Sequence, residues 1–167
     1  MSQSAEHANI PVRPVFSTLP SYAAGKPPAP VEGLTQYKLS SNENPLGPVP
    51  EVARVLAEFA TAHRYPLSTA LRQKLSARLG VDADDIVTGA GSLGALNQIL
   101  KTFAGVNADG VQDEVIYAWR SFEAYPILVG IMGARSVQVP NLPDGSHDLD
   151  AMAAAITERT RLILVCT

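Results

Sequence analysis

From residue 85 onward, short apolar segments alternate with amphipathic ones, and this alternation limits the possible folds more than any other feature of the chain. The apolar segments predict four strands, at 86–88, 114–118, 135–139 and 161–166. The segments between them predict three helices, at 92–103, 121–132 and 148–156. Strands separated by helices pair in parallel, so we expect an α/β fold, a mostly parallel sheet with helices on both faces. Pro126 either starts or kinks the second of these helices.

The chain before residue 85 has a different character. Residues 1–36 hold Pro11, Pro14, Pro20, Pro27, Pro28 and Pro30. Since proline fixes φ and removes a donor, we expect an extended arm here. A short strand at 37–41 and helices at 50–62 and 68–79 are predicted next. Ser68 caps the second helix and Gly80 ends it. Both helices carry apolar stripes for burial: Val52, Val55, Leu56 and Phe59 on the first, and Leu71, Leu75 and Leu79 on the second.

Composition excludes several classes of function. The 167 residues carry a net charge of −3 and no Lys/Arg cluster, so we expect no nucleic-acid partner. No apolar run reaches the roughly 20 residues that span a membrane, so no membrane association is expected. The lone cysteine, Cys166, cannot form an internal disulfide and is predicted to be a small buried apolar residue. A cytoplasmic location is the default, and the acids at 82–85 lack the spacing of a metal site.

A glycine-rich loop is the sharpest local signal. Residues 89–94 (GAGSLG) follow a predicted strand and begin a predicted helix. Glycine lets the backbone approach a ligand, and free N–H groups at the start of a helix attract an anion. A phosphate would lie against the amides of Gly91, Ser92 and Leu93. A tight turn without a ligand is the alternative.

The same loop also matches the G-x-G-x-x-G pattern of dinucleotide-binding proteins. That pattern belongs on a first strand, whereas this loop follows two predicted helices. The next strand ends at Trp119 and Arg120 and has no acid to hold a ribose. Asp113 and Glu114 stand at the beginning of that strand, the wrong end. A dinucleotide-binding oxidoreductase therefore stays a minor alternative.

Four segments, in order, resemble motifs of pyridoxal-phosphate-dependent aminotransferases of fold type I. They are LSSNENPLG at 39–47, RYP at 64–66, TGAGS at 88–92 and TRLILVCT at 160–167. The resemblance is to the branch of histidinol-phosphate and aromatic amino-acid (phenylalanine) aminotransferases and covers nearly the whole chain. It implies that residues 37–167 are the N-terminal part of the large domain that binds pyridoxal 5'-phosphate, with residues 1–36 as an N-terminal arm.

The resemblance also implies roles for individual residues. Gly91, Ser92 and Leu93 would hold the phosphate of the cofactor, and Phe122 would stack on its ring, unless Phe122 only packs in the core. Tyr65 would reach the cofactor phosphate of the neighbouring subunit in a homodimer, or serve only as a turn residue. Tyr22 and Asn42 would lie near the substrate.

Residues 119–126 (WRSFEAYP) favour an aromatic amino acid and a 2-oxo acid as substrates. Histidinol phosphate is the alternative, although that subgroup commonly has an acidic pair where Leu93 and Gly94 stand. The Schiff-base lysine, the acid at the ring nitrogen and the substrate-binding arginine are all expected beyond Thr167. A chain ending on a predicted buried strand is therefore expected to be an N-terminal fragment without transaminase activity of its own. An inactive remnant is the remaining alternative.

Overall fold

The computed structural model describes residues 13–22, 29–37, 44, 46–59, 63–65 and 68–166. The chain divides into two compact units. One unit comprises Met1–Tyr22 with Gly89–Thr167, and the other comprises Ala23–Thr88. The predicted strand at 37–41 lies outside the described residues except for Tyr37. In the described part of the chain, no helix is long and apolar enough to cross a membrane.

The unit that contains the C-terminal half is built on a parallel sheet. Its strands are β1 (Glu114–Trp119), β2 (Arg135–Pro140) and β3 (Thr160–Leu164), in the order β2-β1-β3. Both β2 and β3 pair with β1 in parallel. The helices of this unit are α3 (Gly91–Phe103), α4 (Tyr125–Met132) and α5 (Leu149–Ala154). The predicted α/β fold class is thus confirmed.

The central strand β1 is buried on both faces. Val115 and Tyr117 pack with residues of α3 and α4, among them Leu100 and Val129. Ile116 and Ala118 point to the other face and pack against Met152 of α5, with Val139 of β2. Burying each large side chain contributes on the order of 2 kcal/mol, so β1 accounts for much of the stability of this unit.

Local signals explain where α4 and α5 begin. α4 starts at Tyr125, four residues later than predicted, with Pro126 in its first turn, where a missing N–H costs nothing. Pro126 thus starts the helix and does not kink it. Gly133, at φ +83°, ends the helix in the left-handed region that favours glycine. The Asp148 side chain accepts a hydrogen bond from the Ala151 N–H at 2.9 Å and caps α5, as predicted.

Two strand predictions need correction. The strand predicted at 86–88 is wrong: Ile86 has extended backbone angles (φ −105°, ψ 120°), but among the described residues the segment is not part of a strand ladder. An extended segment becomes a strand only where a neighbouring strand pairs with it. β3 ends at Leu164, two residues earlier than predicted, and its register with β1 ends there too.

The described residues of the second unit form two α-helices, α1 (Pro50–Ala57) and α2 (Thr69–Leu79). α1 ends before the predicted residue 62, and Gly80, at φ +72°, ends α2 as predicted. The expectation that their apolar stripes are buried is wrong. Most of the stripe residues are exposed: Val52, Val55, Leu56, Phe59, Leu71 and Leu79. In the described part of this unit there is no sheet against which the helices could bury these residues.

The predicted arm contains a short 3-10 helix, Pro14–Ser17, which lies against α4. The guanidinium of Arg13 donates a hydrogen bond to the carbonyl of Ile131 at 2.9 Å. Leu19 fills the space beside Gly130, where a Cβ would lie 2.5 Å from the Leu19 Cδ2 atom. This stretch of the arm is therefore held by its own chain.

A cluster of charged side chains, hereafter the amino-end cluster, joins the beginnings of the three strands. Glu114 is 1% exposed. Its Oε1 atom accepts a hydrogen bond from Arg135 at 2.9 Å and forms an ion pair with Arg159 at 2.8 Å, and its Oε2 atom accepts a hydrogen bond from the Thr157 hydroxyl at 2.6 Å. The neighbouring Asp113 accepts from the Gly105 N–H at 3.1 Å and pairs with Arg161 at 3.3 Å. A buried acid is tolerated here because each oxygen has a donor.

Replacing Glu114 with glutamine should lower the free energy of unfolding by about 2 kcal/mol, because Arg135 and Arg159 both lose their charged partner. Denaturant unfolding monitored by circular dichroism checks this. The control is Glu123→Gln, which removes the exposed ion pair with Arg120 (3.1 Å) in the same unit and should cost under about 0.5 kcal/mol. Equal effects of the two changes would contradict the role of the buried carboxylate.

Stability should also depend on pH through this carboxylate. The hydrogen bond from Thr157 is the main cause that lowers the pKa of Glu114 below its ordinary value of 4.5; the two arginines lower it further, and burial opposes them. Because the folded pKa is the lower one, the stabilisation is present above pH 4.5 and is lost as pH falls towards the folded pKa. Melting temperatures from pH 7 downward should drop less steeply for Glu114→Gln than for the unsubstituted chain.

Candidate functional site

A cleft of about 410 Å³ lies at the carboxyl ends of β1 and β3. Its walls come from the first turns of α3, the loop between β1 and α4, and the end of β3. The lining residues are Ser92, Leu93, Leu96, Phe122, Tyr125, Ile163, Leu164, Val165 and Cys166. The crevice at the carboxyl ends of parallel strands is where α/β proteins generally bind ligands.

The glycine loop forms one rim of the cleft. A Cβ at Gly89 would lie 2.6 Å from the Ala95 nitrogen, so glycine is required for the loop backbone to lie against the first turns of α3. Gly91, at φ +67°, adopts the left-handed conformation in which the chain turns into the helix. No atom of the described residues lies within 4 Å of a Cβ built on Gly91, so this side of the turn is open among them.

The start of α3 can receive an anion. Its first backbone hydrogen bond joins the Gly94 N–H to the Ala90 carbonyl at 3.3 Å, so the amides of Gly91, Ser92 and Leu93 precede the helical ladder. In the described structure no side chain caps this end, and the first turn holds no acid. The partial positive charge of a helix N-terminus is thus available at the cleft, and the Ser92 hydroxyl lies there as a further donor.

An aromatic ring forms the next part of the wall. Phe122 is 38% exposed and belongs to neither buried core cluster. The structure therefore does not favour a role for Phe122 in core packing alone. Its ring meets Tyr125 edge to face, with 5.4 Å between centroids and 88° between planes. Tyr125 in turn packs against Tyr117 of β1 at 5.3 Å. A partly exposed aromatic face is suited to a flat ligand ring.

The end of β3 forms the remaining wall and corrects one prediction. Cys166 is exposed and lines the cleft, so the expectation of a small buried residue is wrong. The strand ends at Leu164, and the residues after it leave the sheet. Cys166 and Tyr125 line the cleft together. Burial chiefly raises the pKa of Tyr125, and the neighbouring Cys166 raises it further, so the phenol stays protonated at neutral pH.

The structure brings together only some of the residues predicted for the site. Ser92, Leu93 and Phe122 share the cleft. Tyr22 is exposed and is not among the lining residues, and Tyr65, in the other unit, is 95% exposed. Asn42 lies outside the described residues. Arg120 pairs with Glu123 at 3.1 Å and lies 5.5 Å over the Trp119 ring.

Sequence reasoning missed part of the site. Tyr125 and the segment after β3 line the cleft, yet no role was predicted for either. The signal for Tyr125 was its spacing of three residues from Phe122 at the start of a helix, which places the two rings together. The signal for Cys166 was its position just past the carboxyl end of a parallel strand, the edge where α/β sheets bind ligands.

The geometry also bears on the dinucleotide alternative. The acids nearest β1 in sequence, Asp113 and Glu114, are bonded within the amino-end cluster, at the edge of the sheet away from the cleft. At the cleft edge, β1 ends in Trp119, followed by Arg120. A ribose hydroxyl bound beside β1 would therefore find no acceptor carboxylate from these residues at the expected place.

Sequence comparison finds aminotransferases. The chain is 52% identical over 158 residues to an aromatic amino acid aminotransferase of Streptomyces coelicolor, an alignment that covers 93% of this chain and 42% of that protein. A protein of the same name from Nocardia farcinica is 45% identical over the same shares of the two chains. The chain thus spans about two fifths of the length of these curated relatives. No family model matches it.

Structural comparison agrees. A histidinol-phosphate aminotransferase from Sinorhizobium meliloti, solved in complex with pyridoxal-5'-phosphate, superposes with a TM-score of 0.62 and 26% identity, covering 71% of this chain and 32% of that one. A Thermus thermophilus aspartate aminotransferase superposes with a TM-score of 0.57 and 25% identity, covering 70% and 33%. By sequence and by fold, the chain is thus a relative of the fold type I aminotransferases, matching part of their length, and the expected resemblance is confirmed.

Proposed function

We propose that the cleft binds pyridoxal 5'-phosphate and that the chain serves an enzyme which moves an amino group between an aromatic amino acid and a 2-oxo acid. The observation that carries this proposal is the convergence of an uncapped helix start and an exposed phenyl ring on one cleft. An anionic tail and a flat ring are the two recognisable parts of this cofactor. A protein called an aromatic amino acid aminotransferase is 52% identical to the chain.

The residues present fit such a group. The amides of Gly91, Ser92 and Leu93 would hold the phosphate, assisted by the Ser92 hydroxyl and the helix dipole. Phe122 would cover one face of the ring and exclude water from it. When bound, the cofactor supplies the electron sink for the reaction. The residues of this chain would fix the position and tilt of the cofactor ring.

The apolar lining favours an aromatic side chain over a charged one as the neighbour of the cofactor. Leu93, Leu96 and Ile163 present apolar surface to the cleft. Histidinol phosphate is the second candidate, since a solved structure that superposes on the chain bears that name. The sequence relatives favour the aromatic substrate, because those quoted above at 45% and 52% identity carry the aromatic name.

The remaining assignments belong to the same proposal. Residues 37–167 would be the N-terminal part of the cofactor-binding domain, preceded by the arm. In a homodimer of the full-length protein, Tyr65 would reach the partner's cofactor phosphate, and its almost complete exposure leaves it free for such a contact. Tyr22 and Asn42 would approach the substrate. A cytoplasmic location fits an enzyme acting on small metabolites.

Pyridoxamine 5'-phosphate tests the proposal directly, because it has the ring and the phosphate but no aldehyde to react with surface lysines. The 167-residue chain should bind it saturably in calorimetry, and inorganic phosphate should compete. Ser92→Asp should weaken binding at least tenfold, since a carboxylate would repel the phosphate at the helix start. Gln73→Glu adds the same charge to the exposed face of α2 and should leave binding unchanged. Saturable NAD binding without pyridoxamine phosphate binding would reverse the proposal.

Phe122→Leu separates the ring contact from the phosphate contact. Loss of the aromatic face should weaken pyridoxamine 5'-phosphate binding roughly fivefold, because a stacked pair is worth about 1 kcal/mol beyond its area. The affinity for inorganic phosphate should stay the same. Calorimetry with the two ligands measures both values. Phe103→Leu, an exposed phenylalanine at the end of α3, is the matched control and should change neither.

A further inference from the structure

We infer that Tyr125 is the positioning residue of the cleft: it sets the plane of the Phe122 ring and ties that ring to the central strand β1. The inference rests on the proposed function, since it concerns the ring that would stack on the cofactor. It assigns a role to a residue that would not itself cover the face of the ligand.

Tyr125 is placed where one side chain can reach three parts of the unit. It is the first residue of α4 and is 7% exposed. Its ring packs on Tyr117 of the central strand at 5.3 Å and meets Phe122 edge to face at 5.4 Å. It also lines the cleft together with Cys166, just past the end of β3. The sheet holds a buried residue with these contacts in place. That residue can in turn hold the Phe122 ring in place at the cleft.

Phe122 needs such support because it lies in the loop between β1 and α4. The Tyr125 N–H donates to the Phe122 carbonyl at 3.0 Å, which holds the backbone of this turn but leaves the side-chain torsions undetermined. With a ring more than a third exposed, solvent does not set its orientation either. The near-perpendicular Tyr125 ring does, because an edge-to-face contact favours one arrangement of the two planes.

Two substitutions separate the ring from the hydroxyl. Tyr125→Leu removes both and should weaken pyridoxamine 5'-phosphate binding roughly fivefold while the affinity for inorganic phosphate stays within twofold. Tyr125→Phe keeps the ring edge and should restore pyridoxamine 5'-phosphate binding to within twofold of the unsubstituted chain. Calorimetry on the 167-residue chain measures both ligands, and Tyr37→Leu, an exposed tyrosine of the other unit, is the control.

The outcomes distinguish the two proposals. If the unsubstituted chain binds no pyridoxamine 5'-phosphate, the proposed function fails, and the inference fails with it. If it binds and Tyr125→Leu binds equally well, only the positioning role is overturned. Loss of phosphate and pyridoxamine phosphate affinity in equal measure, with a lowered melting temperature, would show that Tyr125 only stabilises the fold.

Discussion

The pairing of β1 with a parallel strand on each side is the constraint on which the rest of this unit depends. Once β1 lies between β2 and β3, both of its faces must be covered, and helices on both sides supply the cover. Parallel pairing also places all three carboxyl ends at one edge and all three amino ends at the other. The two ends of the sheet can then differ completely in chemistry.

The two ends of the sheet differ in how their charged and polar groups are satisfied. At the amino end, Glu114 and three donor side chains satisfy one another, and no polar atom of the carboxylate is left for a ligand. At the carboxyl end, the helix start of α3 is left without a cap, which makes a place for an anion from outside the chain. The first arrangement serves stability, and the second gives up local stability for binding.

Much of the fold could be predicted from the sequence because burial is periodic in it. The strand 114–118, the helix 92–103 and the cap at Asp148 follow from local pattern, and the structure places them within a residue or two. The segment 86–88 was predicted wrongly because a strand is defined by its partner, which periodicity does not reveal. The prediction that the apolar stripes of α1 and α2 are buried was wrong for a related reason. An apolar helix face shows which residues should be covered, but it does not show which element covers them.

The site was only partly predictable. The glycine loop carries its own conformational signal, since Gly91 needs a positive φ and Gly89 permits a close approach, so Ser92 and Leu93 could be placed at a ligand. Phe122 was identified through family resemblance. Tyr125 and Cys166 were not assigned to the site, because the cleft brings together positions 41 residues apart and depends on where β3 ends. Tertiary geometry, not residue type, gives these two their place.

The hydrogen bond from Arg13 to Ile131 joins residues separated by 118 positions. Closing so long a loop has a large entropic cost, and nothing local in the sequence compensates for it. The contact becomes favourable only after α4 already has its place on the sheet, because the acceptor carbonyl and the Gly130 recess do not exist before then. The arm is therefore expected to dock late in folding and to be the first part released when the unit loosens.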